Sequence, residues 1–176
     1  NKFRGLKGLL GILDDVHFIR TTDPHHIFAA QEFWNRCNDH GFIYKKIYKS
    51  RYCVGCELGK TISELNEKGQ CPLHPNNKIE LIDEENYFFQ FSAFQRPLME
   101  FYEKNPNFVW PLSRFNEIKS FVAKGLEDFS ISRLKSKMSW GIPVPGDDNH
   151  VMYVWFDALV NYISTLGWPE NKENFK

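Results

Sequence analysis

The sequence has no long hydrophobic run, no excess of charge and no repeated or low-complexity segment. No apolar stretch approaches the roughly 20 residues that a membrane helix requires, and the first residues lack the hydrophobic stretch of a signal peptide. The formal net charge is zero, so charge alone gives no sign of a nucleic-acid partner. These absences predict a soluble protein that does not bind membranes.

Cysteine is also scarce, and the positions of the four cysteines predict a metal site rather than disulfide bonds. Cys53-Val54-Gly55-Cys56 is followed, after a 14-residue gap, by Cys71-Pro72-Leu73-His74. Each short turn aims two side chains at one point, and zinc prefers four tetrahedral sulfur or nitrogen ligands. With Cys53, Cys56, Cys71 and His74 as ligands, no position stays open for water, so the predicted zinc ion is structural. The alternative for His74 is a surface histidine beside an empty or degraded site.

Aromatic residues, by contrast, are abundant. They make up 16% of the chain, and 16 of them are Phe, which predicts a well-packed globular core. Cys37 lies among apolar residues of a predicted helix and is expected to be a small buried side chain. A chain of 176 residues suffices for one domain with a sizeable insertion. The first residue is Asn1 rather than Met, which indicates a piece of a longer protein.

The hydrophobic pattern predicts helices and strands in alternation at both ends of the chain. Helices are predicted at residues 3–13, 24–41, 92–105, 114–124 and 157–166. Strands are predicted at residues 16–20, 42–52, 79–91, 129–133 and 151–156. Asp23 and Ser92 stand where N-caps are expected, and Gly41 and Gly125 where helices should end. The irregular, metal-bearing middle predicts an α/β domain interrupted by an insertion.

The most distinctive segment is residues 153–162, with the sequence YVWFDALVNY. If a helix begins at Asp157, helical spacing places four side chains on one side of the strand-to-helix corner. These four are Trp155, Ala158, Leu159 and Tyr162. Ligands collect at the carboxyl ends of strands in open α/β sheets, so the four would line a pocket for a slender apolar group. Spacing alone favours the alternative that this stripe is a core face.

Several further motifs occur in the order found in methionyl-tRNA synthetases, a class I aminoacyl-tRNA synthetase family. They are FIRTTDP at residues 18–24, EENYFF at 84–89, NPNFV at 105–109, ISR at 131–133 and WGIPVP at 140–145. Together with the zinc motif and residues 153–162, they extend the resemblance over nearly the whole chain. The chain looks most like the bacterial and organellar branch of the family.

The resemblance implies an α/β fold in which a Rossmann-like parallel sheet is interrupted by a zinc-binding α+β insertion, the connective peptide. By this match, residues 1–41 and 127–176 belong to the catalytic domain and residues 42–126 to the insertion. The family activates L-methionine with ATP and Mg²⁺ to methionyl-adenylate, and then transfers the methionyl group to tRNA(Met). L-methionine, ATP and tRNA(Met) are therefore the expected partners, and Zn²⁺ is the expected structural cofactor.

The resemblance also assigns roles to individual residues. In the family, the positions that match Trp155, Ala158, Leu159 and Tyr162 contact the methionine side chain. Arg133 matches a catalytic arginine that holds ATP phosphates and stabilises the activation transition state. The chemistry agrees, because a guanidinium clamps phosphate oxygens with two donors and offsets developing charge. Without the resemblance, a surface arginine that follows a strand would be the expected interpretation of Arg133.

The chain departs from the family pattern in four respects. It contains neither a His-x-Gly-His type motif nor a Lys-Met-Ser-Lys-Ser type loop, so it is expected to be inactive alone. Residues 135–139, KSKMS, resemble that loop in scrambled order but precede the pocket segment, and a solvated basic loop is expected there. Leu159 is proline in some relatives, and the residue matching His74 is often cysteine.

Two other classes of protein stay open as alternatives. One is a non-catalytic zinc-containing module that binds RNA or protein and derives from a synthetase. The other is a different class I synthetase, such as a cysteinyl or leucyl type, which the pocket segment and the single zinc motif argue against. The basic stretch at residues 44–51 is expected to be an exposed edge strand rather than a tRNA contact. The expected compartment is the cytoplasm, and the mitochondrial or plastid matrix stays open.

Overall fold

The computed structural model describes residues 2–12, 16, 18–56, 58–60, 64–171 and 173. Within these ranges the helices are α1 (Lys2–Leu10), α2 (Pro24–Asp39), α3 (Gln95–Lys104), α4 (Leu112–Ala123), α5 (Val154–Ala158) and α6 (Asn161–Ser164). The strands are β1 (Ile43–Cys53), β2 (Leu58–Lys60), β3 (Ile79–Phe89), β4 (Phe129–Ser130), β5 (Ser132–Leu134), β6 (Pro143–Val144) and β7 (Asp147–Met152). None of the helices in this part of the chain has the length and apolar character that a bilayer crossing requires.

Helix α2 begins and ends where its sequence predicts. Asp23 occupies the N-cap position with extended backbone, and Pro24 is the first helical residue. The Asp23 carboxylate does not cap the helix; it accepts a hydrogen bond from the Arg20 backbone N–H instead (2.8 Å). Gly41 follows the helix with φ of 75°, a conformation that glycine adopts without strain. The strand predicted at residues 16–20 is wrong for the described residues 16 and 18–20. Their backbone instead enters a turn, in which the Asp23 N–H bonds the Arg20 carbonyl (2.9 Å).

The first sheet has the strand order β2-β1-β3-β4, and every pair in it is antiparallel. Strands β1 and β3 pair along their whole length, from Ile43 opposite Phe89 to Cys53 opposite Ile79. The strands predicted at residues 42–52 and 79–91 are therefore confirmed, although β3 ends at Phe89. Because β2 pairs only with residues 51–53, the basic stretch of β1 before them has β3 as its one described partner and forms a sheet edge.

The chain passes from the first sheet to the second at Ile131. The single strand predicted at residues 129–133 is wrong: β4 pairs with β3, whereas β5 pairs with β7 in a sheet of order β5-β7-β6. Ile131 is fully buried between them. Its N–H donates to the Tyr87 carbonyl (2.8 Å), and its carbonyl accepts from the Tyr153 N–H (2.8 Å). The two sheets are thus joined by backbone hydrogen bonds as well as by the continuous chain.

All strand pairs in the described residues are antiparallel. The architecture is mixed α/β, as expected, but the parallel sheet expected from the resemblance is not formed within these residues. A parallel sheet needs strands joined by crossover connections. The described strands are instead paired mainly as hairpins and meanders.

The main core lies between α2, the second sheet and α5. Its buried members are Ala30, Trp34, Cys37, Ile43, Ile131, Ile142, Val144, Met152 and Phe156. Cys37 is buried there, which confirms its prediction as a small core side chain, and burial raises its pKa to about 11. The Phe156 ring packs against the rings of Phe33 and Trp34, with centroids 5.4 Å away in each case. This packing anchors α5 to α2.

A second core forms between α3 and α4. Its buried members are Tyr102, Phe115, Val122 and Leu126. Helix α3 has its N-cap at Phe94, so the prediction that Ser92 caps it is wrong. The Ser92 hydroxyl donates to Asp128 Oδ1 instead (2.6 Å) and joins the start of this helical pair to the strand that follows it.

Candidate functional site

The metal motif forms one cluster at the end of the β1–β3 hairpin. Cys53 is the last residue of β1 and pairs with Ile79, the first residue of β3. Cys56 lies in the turn after β1, whereas Cys71 and His74 lie in the loop before β3. Strand pairing therefore brings together the two halves of the motif. Cys53 and Cys71 are fully buried, and Cys56 and His74 are half-buried.

The spacing of the four side chains fits tetrahedral coordination. One ligand atom from each of Cys53, Cys56, Cys71 and His74 lies within 4.8 Å of the others. The Sγ atoms of Cys56 and Cys71 are 3.5 Å apart, and His74 Nδ1 lies 3.2 Å from Cys56 Sγ and 3.9 Å from Cys53 Sγ. Zinc–ligand distances of about 2.0 to 2.3 Å give tetrahedral edges of about 3.3 to 3.8 Å. Three thiols and an imidazole at these distances could hold a zinc ion.

One thiol of the cluster is especially easy to ionise. Burial alone would raise the pKa of Cys71, but hydrogen bonds from the neighbouring Cys56 and His74 side chains and from the backbone N–H groups of Leu73 and His74 lower it to about 6. Burial and the adjacent thiols raise the pKa of Cys56. Because the thiolate is the form that binds metal, the hydrogen bonds that lower the pKa of Cys71 favour metal binding.

Gly55 is required by close packing inside the metal motif. A Cβ atom at this position would lie 2.5 Å from His74 Cγ, 2.6 Å from His74 Cδ2 and 2.7 Å from Asn77 Nδ2. Ordinary van der Waals contacts of Cβ atoms lie at 3.4 Å or more. The backbone of the first turn therefore lies directly against the imidazole of the second.

The pocket segment turns into a helix earlier than its sequence predicts. Strand β7 ends at Met152, and α5 begins at Val154 with Tyr153 as its N-cap, so the strand predicted at 151–156 and the helix start at Asp157 are wrong. The predicted helix is also divided, because α6 begins only at Asn161. The aromatic and β-branched residues at 153–156 favour a strand, but packing of Phe156 on α2 determines the local structure.

The four side chains of the predicted pocket are not a core face. Trp155 is 64% exposed, Leu159 is 57% exposed and Tyr162 is 78% exposed, whereas Ala158 is half-buried. Phe156 and Val160 bury the opposite side of the same segment. The segment is thus anchored on one side and presents a row of large apolar side chains to the exterior on the other.

Asp157 lies within this segment but points away from water. It is buried, and its Oδ1 has no hydrogen-bond partner within the described residues. Burial raises its pKa to about 6, although the backbone N–H groups of Asp157 and Ala158 stabilise the carboxylate in part. Sequence reasoning missed this burial, because a carboxylate near a helix start is expected at the surface.

Arg133 is held in a fixed orientation at the centre of β5. Its Nη1 donates to Ser130 Oγ (2.8 Å) and to the Ser132 carbonyl (2.7 Å). Its guanidinium lies 4.1 Å from the centroid of the Tyr153 ring, the residue that starts the pocket segment. A guanidinium fixed by stacking and hydrogen bonds loses little entropy when it binds an anion. The structure therefore brings Arg133 beside Tyr153 at the start of the pocket segment, and its side-chain contacts among the described residues are with Ser130, Ser132 and Tyr153.

A polar cluster that the sequence did not predict connects β1, β3 and the loop after β5. The Glu84 carboxylate accepts from the Tyr48 hydroxyl (3.0 Å) and pairs with Lys137 Nζ (3.1 Å). Asn86 Nδ2 donates to the same Tyr48 hydroxyl (3.3 Å). Burial raises the pKa of Tyr48, and the nearby positive charge of Arg133 lowers it in part. Strand alternation places Glu84 and Asn86 on one face of β3, which was the one available signal. The loop at residues 135–139, KSKMS, is therefore not wholly solvated, because Lys137 is paired with Glu84.

A second polar cluster joins the two sheets. Asp147 Oδ2 lies 2.9 Å from Lys45 Nζ, 3.0 Å from the Tyr87 hydroxyl and 3.0 Å from His150 Nδ1. The other ring nitrogen of His150 lies 3.0 Å from the Glu85 carbonyl. Burial alone would raise the pKa of Asp147, but the hydrogen bonds, from Lys45 first, hold it well below its usual range. One carboxylate thus connects β1, β3 and β7.

Comparison with known families identifies the class of this protein. The family model described as tRNA synthetases class I (M) matches residues 9–80 and 74–176. These segments cover nearly the whole chain. The chain belongs to the class I tRNA synthetase family.

Its relatives point to one member of that class, the methionine-tRNA ligase. The chain is 50% identical over 165 residues to the Synechocystis methionine-tRNA ligase. This match covers 94% of this chain and 30% of the relative. It is 48% identical over 166 residues to the Streptomyces coelicolor methionine-tRNA ligase, covering 90% of this chain and 30% of the relative. The corresponding Rickettsia typhi ligase is 45% identical over 173 residues, a match that covers 98% of this chain and 33% of the relative. The chain thus spans about a third of the length of these relatives.

A solved structure agrees with the sequence comparison. The Mycobacterium tuberculosis methionyl-tRNA synthetase in complex with methionyl-adenylate superposes with a TM-score of 0.76 and 38% identity. The match covers 96% of this chain and 33% of that one. At this identity the likeness extends beyond the fold to the family.

Proposed function

We propose that this chain is the part of a methionine-tRNA ligase that carries the methionine pocket and a structural zinc site. The observation that carries the proposal is the family match over nearly the whole chain together with relatives of that name at 44–50% identity. In this reaction, the methionine carboxylate attacks the α-phosphate of ATP, methionyl-adenylate forms and pyrophosphate leaves. The methionyl group then passes to the terminal adenosine of tRNA(Met).

Trp155, Ala158, Leu159 and Tyr162 form the methionine pocket in this proposal. Three of them are large apolar side chains exposed to the exterior, and buried residues of the same segment fix the backbone beneath them. A thioether side chain is slender and polarizable, and it packs favourably against aromatic rings. The pocket would bury the methionine side chain between the indole and the phenol.

Arg133 binds the ATP phosphates in this proposal. Its guanidinium is fixed by Ser130, Ser132 and the Tyr153 ring, which begins the pocket segment. A fixed cation beside the pocket is suited to stabilise charge that develops when pyrophosphate leaves. Mg²⁺ would supply further neutralisation of the triphosphate.

Zinc bound by Cys53, Cys56, Cys71 and His74 would be structural. The donor set supplies four ligand atoms within 4.8 Å of one another, enough to fill all four positions of a tetrahedral zinc site, so no coordination position would be open for a substrate. When bound, the ion holds the two turns of the motif together at the end of the β1–β3 hairpin. The chemical step would depend on other residues.

The division of the chain follows from the same proposal. Residues 1–41 and 127–176 would be parts of a Rossmann-like catalytic domain, and residues 42–126 would form the zinc-bearing connective-peptide insertion. The parallel sheet of that domain would then include strands from segments outside these 176 residues. The expected compartment, the cytoplasm, stays a prediction.

Methionine-dependent exchange of pyrophosphate into ATP tests the proposal in the longest protein that the gene encodes. We expect exchange in that protein and none in the 176-residue chain alone, which lacks the two class I signature motifs. A folded, zinc-loaded full-length protein without exchange would instead favour a non-catalytic module that binds RNA or protein.

A further inference from the structure

We propose that Lys137 is a second phosphate-binding cation beside Arg133, and that the buried carboxylate of Glu84 holds it in position. The ligand would be a polyphosphate, such as the phosphates of a nucleoside triphosphate or free pyrophosphate. The inference deepens the proposed function and rests on it for the identity of the nucleotide. Lys137 belongs to the loop KSKMS, to which the proposed function assigns no role.

The geometry of the Lys137–Glu84 pair leaves the cation available to a ligand. Glu84 has a side chain that is only 7% exposed, and its two oxygens are engaged by Lys137 Nζ (3.1 Å) and the Tyr48 hydroxyl (3.0 Å). The Lys137 side chain is 36% exposed. An ammonium has three N–H donors; Glu84 occupies one of them, and the centroid of the Tyr52 ring lies 5.7 Å from Nζ. An approaching anion would therefore meet the ammonium, because the carboxylate lies buried beneath it.

The pair is linked to Arg133 through the chain and through Tyr48. Lys137 follows Arg133 by four residues through a tight turn in which its N–H bonds the Leu134 carbonyl (2.9 Å). Tyr48 contacts Glu84 directly and lies close enough to Arg133 for the guanidinium charge to lower its pKa in part. Arg133 Nη1 is occupied by Ser130 and Ser132, and the structure shows no acceptor for Nε or Nη2 among the described residues.

Charge favours an anion at this point of the surface. Arg133 and Lys137 contribute two positive charges, and Glu84 contributes one negative charge that is shielded from solvent. Polyphosphates carry several negative charges on adjacent groups, so two cations separated by one turn suit them better than a single charge does.

Lys135 is a matched control within the same loop. It has the same side chain and lies two residues from Lys137. It lines a different, open cleft of about 520 Å³, together with the acidic residues Glu85, Asp147 and Asp148. Diffuse attraction of an anion to the loop would depend on both lysines, whereas the proposed contact depends on Lys137.

The test measures binding of inorganic pyrophosphate to the 176-residue chain by titration calorimetry. We expect Lys137→Gln to weaken binding on the order of tenfold, Lys137→Arg to retain binding within about threefold, and Lys135→Gln to change it by less than about twofold. Unchanged affinity in Lys137→Gln, equal losses in the two glutamine variants, or no binding by the parent chain would each overturn the proposal. Circular dichroism of each variant checks that the fold is retained.

A second readout separates this proposal from the proposed function. In the longest protein that the gene encodes, Lys137→Gln should raise the KM for pyrophosphate in the exchange reaction, on the order of tenfold, and leave the KM for methionine unchanged. If that protein shows no methionine-dependent exchange, the proposed function fails, and pyrophosphate binding by the chain still decides the role of Lys137. If exchange occurs and Lys137→Gln does not change either KM, the Lys137 proposal alone fails.

Discussion

The metal motif predicts that Gly55→Ala weakens zinc binding even though it changes no ligand. The new Cβ would lie 2.5 Å from His74 Cγ, where ordinary contacts begin at 3.4 Å, so the imidazole or the turn must move by about 0.9 Å. Metal–ligand distances tolerate only about 0.2 Å. Overpacking of this kind costs about 1 to 3 kcal/mol, which corresponds to roughly 5- to 150-fold weaker binding.

Competition for zinc between the chain and a chromophoric chelator measures this effect. Cobalt substitution provides a second readout, because sulfur-to-cobalt charge-transfer bands report whether three thiolates still coordinate the metal. Val54→Ala is the matched control: it changes the adjacent residue of the same turn, whose side chain is half exposed, and should bind zinc as the parent chain does. Equal zinc affinity in Gly55→Ala and the parent chain would refute the proposed close packing of the two turns around a metal.

Three further predictions concern buried carboxylates and the pocket. Asp147→Asn should destabilise the chain by on the order of 2 kcal/mol at pH 7 in urea unfolding, because one carboxylate accepts three hydrogen bonds, and the exposed Asp148→Asn should stay within about 0.5 kcal/mol. Because the pKa of Asp147 is depressed, its contribution to folding stability is present at neutral pH and is lost as the pH falls. Equal effects of Asp147→Asn and Asp148→Asn on stability would contradict this role of Asp147. Asp157 has a raised pKa of about 6, so the folded chain holds a proton between about pH 4 and 6 that the unfolded chain has lost, and stability should fall as pH rises through that window. Asp157→Asn should flatten this dependence and stabilise the chain by on the order of 2 kcal/mol at pH 7, and an unchanged pH profile would count against it. Trp155→Ala should cost less than about 1 kcal/mol of stability because the indole is exposed, whereas Trp34→Ala in the core should cost about 3 to 5 kcal/mol; similar losses in both would indicate that Trp155 is a core residue.

The metal cluster and the long hairpin could be predicted from the sequence because their signals are local. Two short turns determine which side chains of the motif converge, and alternation along residues 42–52 and 79–91 determines the pairing of β1 and β3. Helix α2 could likewise be predicted, because Pro24 and Gly41 mark its ends.

The remaining errors arise where packing between distant segments determines the local structure. Residues 153–156 have strand-forming side chains, but Phe156 packs on Phe33 and Trp34, so the chain becomes helical there. Ile131 interrupts a strand-like run because it bonds both Tyr87 and Tyr153, which lie far from it in sequence.

The buried carboxylates could not be predicted for a related reason. Charged residues in strands and at helix starts are usually exposed. Glu84 is buried and the Asp147 side chain is only 12% exposed because partners from other strands or loops, Lys137 and Lys45, satisfy them. These pairs depend on tertiary contacts that a single sequence does not specify.

Methionine-dependent exchange of pyrophosphate into ATP, measured in the longest protein that the gene encodes, tests the central proposal most directly. The account predicts one equivalent of bound zinc and exchange that is lost in Trp155→Ala, although this variant keeps its fold and its zinc. Exchange that is absent from the zinc-loaded parent protein, or that is unchanged by Trp155→Ala, would contradict the assignment of residues 155–162 as a methionine pocket.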